Sequence, residues 1–222
     1  MRLYLASSNS GKLRELSALA GAEGIELETV PGYDRRPPFP EDEPSFALNA
    51  LEKALYYSRN AGSNGSPRQE PRGSGVMGNA SSGQPGGSGV LVVADDSGLV
   101  VEALGGQPGV RSARFAGPGA TDADNNRKLL EELRGVPAEK RGARFVCVLA
   151  LARGGRALGI FSDYVEGRIL EAPRGSGGFG YDPLFFLPER GCTTAELAPE
   201  EKNRVSHRGK AFRKLLALVK KT

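Results

Sequence analysis

The run Arg144-Phe145-Val146-Cys147-Val148-Leu149-Ala150-Leu151-Ala152, closed by Gly154-Gly155 and followed by residues 156–167, decides the fold. Eight consecutive apolar positions, Phe145 to Ala152, suit a strand buried on both faces. Two adjacent glycines supply the positive φ angles that a tight hairpin turn needs. The segment therefore predicts two antiparallel strands.

Outward from it, strands and helices alternate. Residues 2–6 read as a buried strand. Residues 10–20 carry Leu13, Leu16, Leu19 and Ala20 at helical spacing. Residues 25–30 alternate as a strand, and 45–58 carry a helical stripe of Phe46, Ala50, Leu51, Ala54 and Leu55. Residues 90–94 are a β-branched run that reads as a central strand ending just before Asp95-Asp96. Thr121 with Asp124 opens a helix over 121–134, stopped by Gly135 and Pro137. A last helix starts near Ser206 and buries Phe212, Leu215, Leu216 and Val219. Alternating elements with one hairpin predict an α/β fold with a mixed sheet.

The chain has 222 residues, with 30 Lys and Arg against 26 Asp and Glu. The net charge of +4 is too small and too dispersed for a dedicated nucleic-acid binder, but it is compatible with an anionic small molecule. No apolar run approaches the ~18 residues of a membrane span, and the N-terminal apolar segment is too brief for a signal peptide. Cys147 and Cys192 lie far apart, without disulfide or zinc spacing, so a reducing cytoplasm is expected. His207 is the only histidine, which rules out a His-rich metal site.

Residues 61–89 hold nine Gly, six Ser, three Pro and two Asn in 29 positions. Such a segment has too little apolar surface to offset its ordering entropy. It reads as a flexible insertion within a single domain spanning 1–222, because the strand pattern resumes directly after it.

Four segments carry candidate chemistry. Ser7-Ser8-Asn9-Ser10-Gly11-Lys12 lies between a strand and a helix, where unpaired N–H groups attract phosphate and Lys12 adds charge. A capped turn explains it equally well, and it is not a Walker loop. Asp95-Asp96-Ser97-Gly98 puts two carboxylates side by side, which is costly unless a cation compensates; hard oxygens suit Mg²⁺. Gly175 to Pro183 offers stacking faces in Phe179 and Tyr181, close backbone at Gly180 and an acceptor in Asp182, although a turn-rich loop with buried aromatics fits alone. Lys202 and Ser206-His207-Arg208-Gly209 place cations at a helix start, which needs an anion nearby.

Together these segments, with Leu104-Gly105-Gly106-Gln107-Pro108-Gly109 and Ser112-Ala113-Arg114 between them, resemble the inosine triphosphate pyrophosphatase family from Leu3 to near the C-terminus. The resemblance implies an elongated mixed-sheet fold with two lobes flanking a central cleft, a homodimer and Mg²⁺ dependence. It implies hydrolysis of ITP, dITP or XTP to the monophosphate and pyrophosphate, which clears deaminated purines from the nucleotide pool. It assigns the phosphate loop to Ser7, Ser8, Asn9, Ser10, Gly11 and Lys12, with Lys53 also facing the phosphates. Asp96 becomes the general base and a metal ligand, with Asp95 beside it. Glu41 is the further metal ligand, or else Glu43. Ser97, Phe179, Gly180, Tyr181, Asp182, Lys202, His207 and Arg208 become substrate-binding residues. His207 or Arg208 would donate to the 6-oxo group of the base, and Asp182 or a carbonyl would accept from its N1–H.

Two departures stand out. Ser8 replaces a glycine of the phosphate loop, and Leu48 replaces a carboxylate in Phe46-Ala47-Leu48-Asn49-Ala50. Hydrolysis of modified pyrimidine triphosphates is the neighbouring alternative. A non-catalytic nucleotide or nucleic-acid binding module is the remote one, since it leaves the Asp95-Asp96 pair without a purpose.

Overall fold

The computed structural model describes residues 1–60 and 89–221. All but the last residue of the expected insertion at 61–89 lies outside the described residues. In chain order the elements are β1 (Arg2–Leu5), α1 (Ser10–Gly21), β2 (Glu26–Thr29), α2 (Phe46–Asn60), β3 (Leu91–Val101), α3 (Asp122–Glu132), β4 (Gly142–Arg153), β5 (Arg156–Ile169), β6 (Phe185–Leu187), β7 (Cys192–Thr193), α4 (Pro199–Val205) and α5 (His207–Val219). One seven-stranded sheet has the order β2-β1-β3-β4-β5-β6-β7. The first three strands are parallel and all later pairings are antiparallel, so the mixed sheet is present.

β3 is longer than its sequence suggests. The expected strand ended at Ala94, with Asp95-Asp96-Ser97-Gly98 beyond it. In the structure these four residues stay in the strand, with Asp96 opposite Val148 and Ser97 opposite Cys147. Register with the apolar β4 overrides the poor strand preference of Asp and Gly. β1 pairs with β3 only at Val92 and Val93, which leaves Ala94 to Ser97 without a strand partner on that edge; beyond them the 107–112 segment takes over, with the Leu99 N–H on Ser112 Oγ at 2.8 Å and the Val101 N–H on the Gln107 carbonyl at 3.1 Å. Gly98 is required there: a Cβ would lie 2.4 Å from the Gly109 carbonyl oxygen and 2.5 Å from Ser112 Oγ.

Three apolar clusters flank the sheet. One joins α1 and α5 to the β1 side through Leu3, Leu16, Leu149, Phe212 and Leu215. A second packs α2 on the opposite face through Ala50, Ala54, Tyr57, Val92 and Ala150. A third fills the far end with Leu99, Leu129, Phe145, Tyr181 and Phe185. The long strands β3 and β4 run through all of them, and the unpaired stretch of β3 lies between.

Local signals account for most boundaries. Thr121 and Asp124 form a complete capping box, so aspartate serves where glutamate is usual. Ser206 ends α4 and caps α5 at once. β6, β7 and α4 were not expected from the sequence; all are short, although Pro199 with Glu200 and Glu201 is a recognisable helix start.

Along β5, Lys210 Nζ donates to the Tyr164 carbonyl at 3.2 Å and Lys214 Nζ to the Ser162 carbonyl at 2.8 Å. At the other end of the hairpin, Ser58 near the end of α2 accepts the Gly155 N–H at 3.0 Å, and Gly89 lies against Gly154. Among the described residues both cysteines are free, and no helix is long and apolar enough to cross a membrane.

The α4–α5 junction leaves no room for a side chain at Gly209, where a Cβ would lie 1.8 Å from the Asn203 carbonyl oxygen. Gly209→Ala is expected to cost about 3 kcal/mol of folding stability, as an overpacked core does. Chemical denaturation of the two proteins checks it.

Candidate active site

The expected phosphate loop leaves β1 with Ala6 and Ser7 buried. Ser7 Oγ accepts the Asn9 N–H at 3.2 Å. Asn9 caps α1, its Oδ1 accepting the Lys12 N–H at 2.9 Å. That leaves the Ser10 and Gly11 amides at the helix start, beside exposed Ser8. Phe179 closes over this turn, because a Cβ on Gly11 would lie 2.5 Å from its ring. The loop and the base-recognition segment, 168 residues apart in sequence, are in direct contact.

Strand alternation separates the two adjacent carboxylates. Successive side chains on a strand point to opposite faces. Asp95, with Ser97, therefore faces α1 and α5, and Asp96 faces α2. Asp95 is fully buried. Its Oδ1 pairs with Lys12 and accepts Ser97 Oγ at 2.6 Å. Its Oδ2 receives Arg208 Nε at 3.0 Å and the Cys147 thiol at 3.5 Å. Burial would raise its pKa, but Lys12 and Arg208 outweigh that and hold it far below the usual carboxylate range. The expectation that Asp95 sits beside Asp96 as a metal ligand is thus corrected. It points away from Asp96, and protein cations take both of its oxygens.

The ion pairs continue. Arg208 Nη1 reaches Glu15 at 2.6 Å, Glu15 reaches Lys202 at 2.6 Å, and Lys202 pairs with Asp182. Six charged groups of alternating sign thus run from the phosphate loop to the glycine-rich loop. Asp182 accepts Thr194 Oγ1 on Oδ1 at 2.8 Å and, besides Lys202, the Phe179 N–H on Oδ2 at 2.8 Å, and so holds the loop together. Lys202 Nζ and the Arg208 guanidinium lie 4.9 and 5.3 Å from the centre of the Phe179 ring.

His207 is the exception. Its ring stacks on Phe145 at 4.9 Å with an interplanar angle of 13°. Nδ1 is buried and has no partner among the described residues. Burial, helped by the Arg208 charge, pushes its pKa well below the usual value, so the ring is neutral. Gly180 is pinned from both sides, its N–H donating to Asp122 at 2.6 Å and its carbonyl accepting from Asn126 at 2.8 Å. Tyr181 is core, its hydroxyl donating to the Ser112 carbonyl at 2.8 Å.

Asp96 sits on the α2 side of β3. Asn49 Nδ2 donates to its Oδ2 at 2.9 Å; among the described residues Oδ1 accepts no hydrogen bond. Burial raises its pKa to about 6; Lys12 opposes the shift, while Glu41 adds to it. Glu41 is half-exposed and meets Lys53 at 2.5 Å through Oε1. Asp96 and Glu41 line one cavity with Asn9, Lys12, Ser97, Phe179, Lys202 and His207. A more open cavity of about 820 Å³ shares Glu41 with it. Leu48, where a carboxylate was missed, is exposed on α2. Glu43 contributes its backbone, bonded to Asn49.

Sequence reading did not single out Glu15 or Asn49. The signal existed for both: each is a polar residue set in the apolar stripe of its helix, beside Leu16 and Ala50. Asp122 and Asn126 gave none, since polar residues in a first helical turn are ordinary.

Residues 3–218 match the model of the Ham1 family. The dITP/XTP pyrophosphatase of Geobacillus kaustophilus is 47% identical over 213 residues, covering 96% of this chain and 91% of that one. That of Geobacter sulfurreducens is 44% identical over 219 residues, covering 99% and 94%. Among solved structures, a HAM1 protein from Coxiella burnetii superposes with a TM-score of 0.78 at 35% identity, covering all of both chains.

The raised pKa of Asp96 has a stability consequence. Its folded value of about 6 lies above the ordinary 3.8, so ionisation works against the fold once pH exceeds the lower value. In chelator-treated protein, Asp96→Asn is expected to match wild type below pH 4. It should exceed wild type by on the order of 3 kcal/mol at pH 8. Denaturant titrations at the two pH values measure this.

Proposed function

The chain belongs to the Ham1 family, and we propose that it hydrolyses the non-canonical purine triphosphates dITP, XTP and ITP to monophosphate and pyrophosphate, with Mg²⁺ as cofactor. Its relatives are named dITP/XTP pyrophosphatases, which supports nucleotide hydrolysis as the reaction. One observation carries the reading. Among the described residues Asp96 has one oxygen fixed and the other without a hydrogen bond, in a cavity that joins a phosphate-type loop to an aromatic, His207-bearing wall.

Asp96 and Glu41 fit Mg²⁺, which commonly takes one or two carboxylates and completes its shell with water and phosphate. Bound there, the ion would offset phosphate charge and lower the barrier at phosphorus. In the proposed mechanism the Ser10 and Gly11 amides, Lys12 and Lys53 hold the phosphates. Asp96 Oδ1 takes a proton from a water as the water oxygen bonds the α-phosphorus. The α–β bridging P–O bond breaks, and pyrophosphate leaves with the electron pair. A base of pKa near 6 is mostly ionised at neutral pH, as this step requires. In the Nδ1–H tautomer, neutral His207 would donate to the 6-oxo group of the base. Adenine, with an amino donor there, would offer that N–H no acceptor. Clearance of deaminated purines in the cytoplasm completes the proposal.

The homodimer belongs to the same reading. Leu158, Ile160 and Tyr164 are about half-exposed along one face of β5. Lys210 and Lys214 already occupy carbonyls on that strand, so a second copy would meet the face and not the edge. Light scattering behind size exclusion should give twice the chain mass; the mass of one chain would remove the dimer.

Ion-exchange analysis of products from dITP, XTP, ITP, GTP and ATP with Mg²⁺ tests the reaction. Monophosphate plus pyrophosphate from the first three, with little from GTP or ATP, is expected; orthophosphate plus diphosphate would refute α-phosphorus attack. Asp96→Asn should lower kcat by about 10²–10⁴-fold while remaining folded.

A further inference from the structure

Asn49 is fully buried in the first turn of α2, in an apolar stripe where its carboxamide must find partners or cost the fold. It finds three. Oδ1 accepts the Glu43 N–H at 3.1 Å, and Nδ2 donates back to the Glu43 carbonyl at 3.2 Å. This two-bond ring imitates a backbone pairing and fixes the chain two residues after Glu41. The remaining N–H of Nδ2 goes to Asp96 Oδ2 at 2.9 Å. Among the described residues, Asn49 is the one side chain bonded both to Asp96 and to the segment that carries Glu41.

Other contacts hold that segment from different sides. Lys53 meets the Glu41 carboxylate at 2.5 Å, and Arg114 Nη2 donates to the Glu41 carbonyl at 2.5 Å. Neither is hydrogen-bonded to Asp96. Asn49 therefore does two things that they do not. It sets the distance between the strand carboxylate and the carboxylate of the loop. It also occupies Oδ2 of Asp96 and so turns Oδ1 toward the cavity.

We propose that Asn49 is the positioning residue that assembles Asp96 and Glu41 into one divalent-cation site. The inference rests on the proposed reading of that site as a cation site. Asn49 touches neither substrate nor metal in this role; it acts through the two carboxylates. Residues that orient metal ligands in this way typically account for 10–100-fold in metal affinity.

The probe is Mn²⁺ binding to the free protein, read by electron paramagnetic resonance, alongside the Mg²⁺ concentration giving half-maximal dITP hydrolysis. Asn49→Leu keeps similar bulk and removes all three bonds. It should weaken Mn²⁺ binding by about ten-fold or more and raise the half-maximal Mg²⁺ concentration in parallel. KM for dITP at saturating Mg²⁺ should stay within about two-fold, as expected of a residue that acts through the ligands. Glu43→Pro removes the N–H that Oδ1 accepts together with the Glu43 carboxylate, and Glu43→Gln removes the carboxylate alone; the first should shift both readouts in the same direction as Asn49→Leu and further than the second. If Asn49→Leu does not fold, Glu43→Pro decides. Wild-type affinity in every variant that folds overturns the positioning role while leaving the cation site standing. A wild-type protein that binds no Mn²⁺ overturns the cation-site reading, and this inference with it.

Discussion

A carboxylate at the centre of the sheet, fully buried, is tolerable only with charged partners, and the structure is arranged around giving Asp95 two of them. Lys12 comes from the first helix and Arg208 from the last, so the first and last helices meet at β3. Arg208 would itself be an uncompensated buried charge without Glu15, and Lys202 draws on Glu15 and Asp182 together. Removing any one member strands its neighbours in a low-dielectric interior, where a broken pair costs about 3–5 kcal/mol. The chain of charges thus fixes the mutual placement of α1, β3, α4, α5 and the loop around Phe179.

That arrangement divides labour across β3. One face is electrostatically closed: its carboxylate is paired, its thiol is buried and its cations are committed. The other face presents Asp96 with, among the described residues, a single neutral hydrogen-bond donor, and with a raised pKa. Strand periodicity alone produces this contrast from two consecutive aspartates. Phe179 ties the two ends together. It rests on the Gly11 turn and lies under the Lys202 and Arg208 side chains, so the aromatic wall is packed directly on the phosphate loop.

Much of this was legible in the sequence. The Gly154-Gly155 hairpin, the alternating helices, the Thr121 and Ser206 caps and the family resemblance follow from local patterns, and the fold agrees with them. The extent of β3 was hidden. Asp-Asp-Ser-Gly reads as a turn until a long apolar partner strand is laid beside it. For the same reason the carboxylates looked like a pair, because adjacency in sequence suggested adjacency in space. Asp182, Lys202 and Arg208 are where the motifs placed them, but their commitment to one another depends on contacts 20 to 193 residues apart, which no local pattern records. Asn49 and Glu15 failed to draw notice because a lone polar residue on an apolar stripe has many structural uses.

The two described ends that flank residues 61–88 both lie at the hairpin turn. Ser58 holds Gly155 from the end of α2, and Gly89 abuts Gly154 where the chain re-enters the sheet. From there to Asp96 the strand must run about 20 Å. Closure of whatever length of chain joins two such neighbouring points depends only weakly on that length, at about 0.6 kcal/mol per doubling. Changes of chain length at that position are therefore expected to cost the fold little.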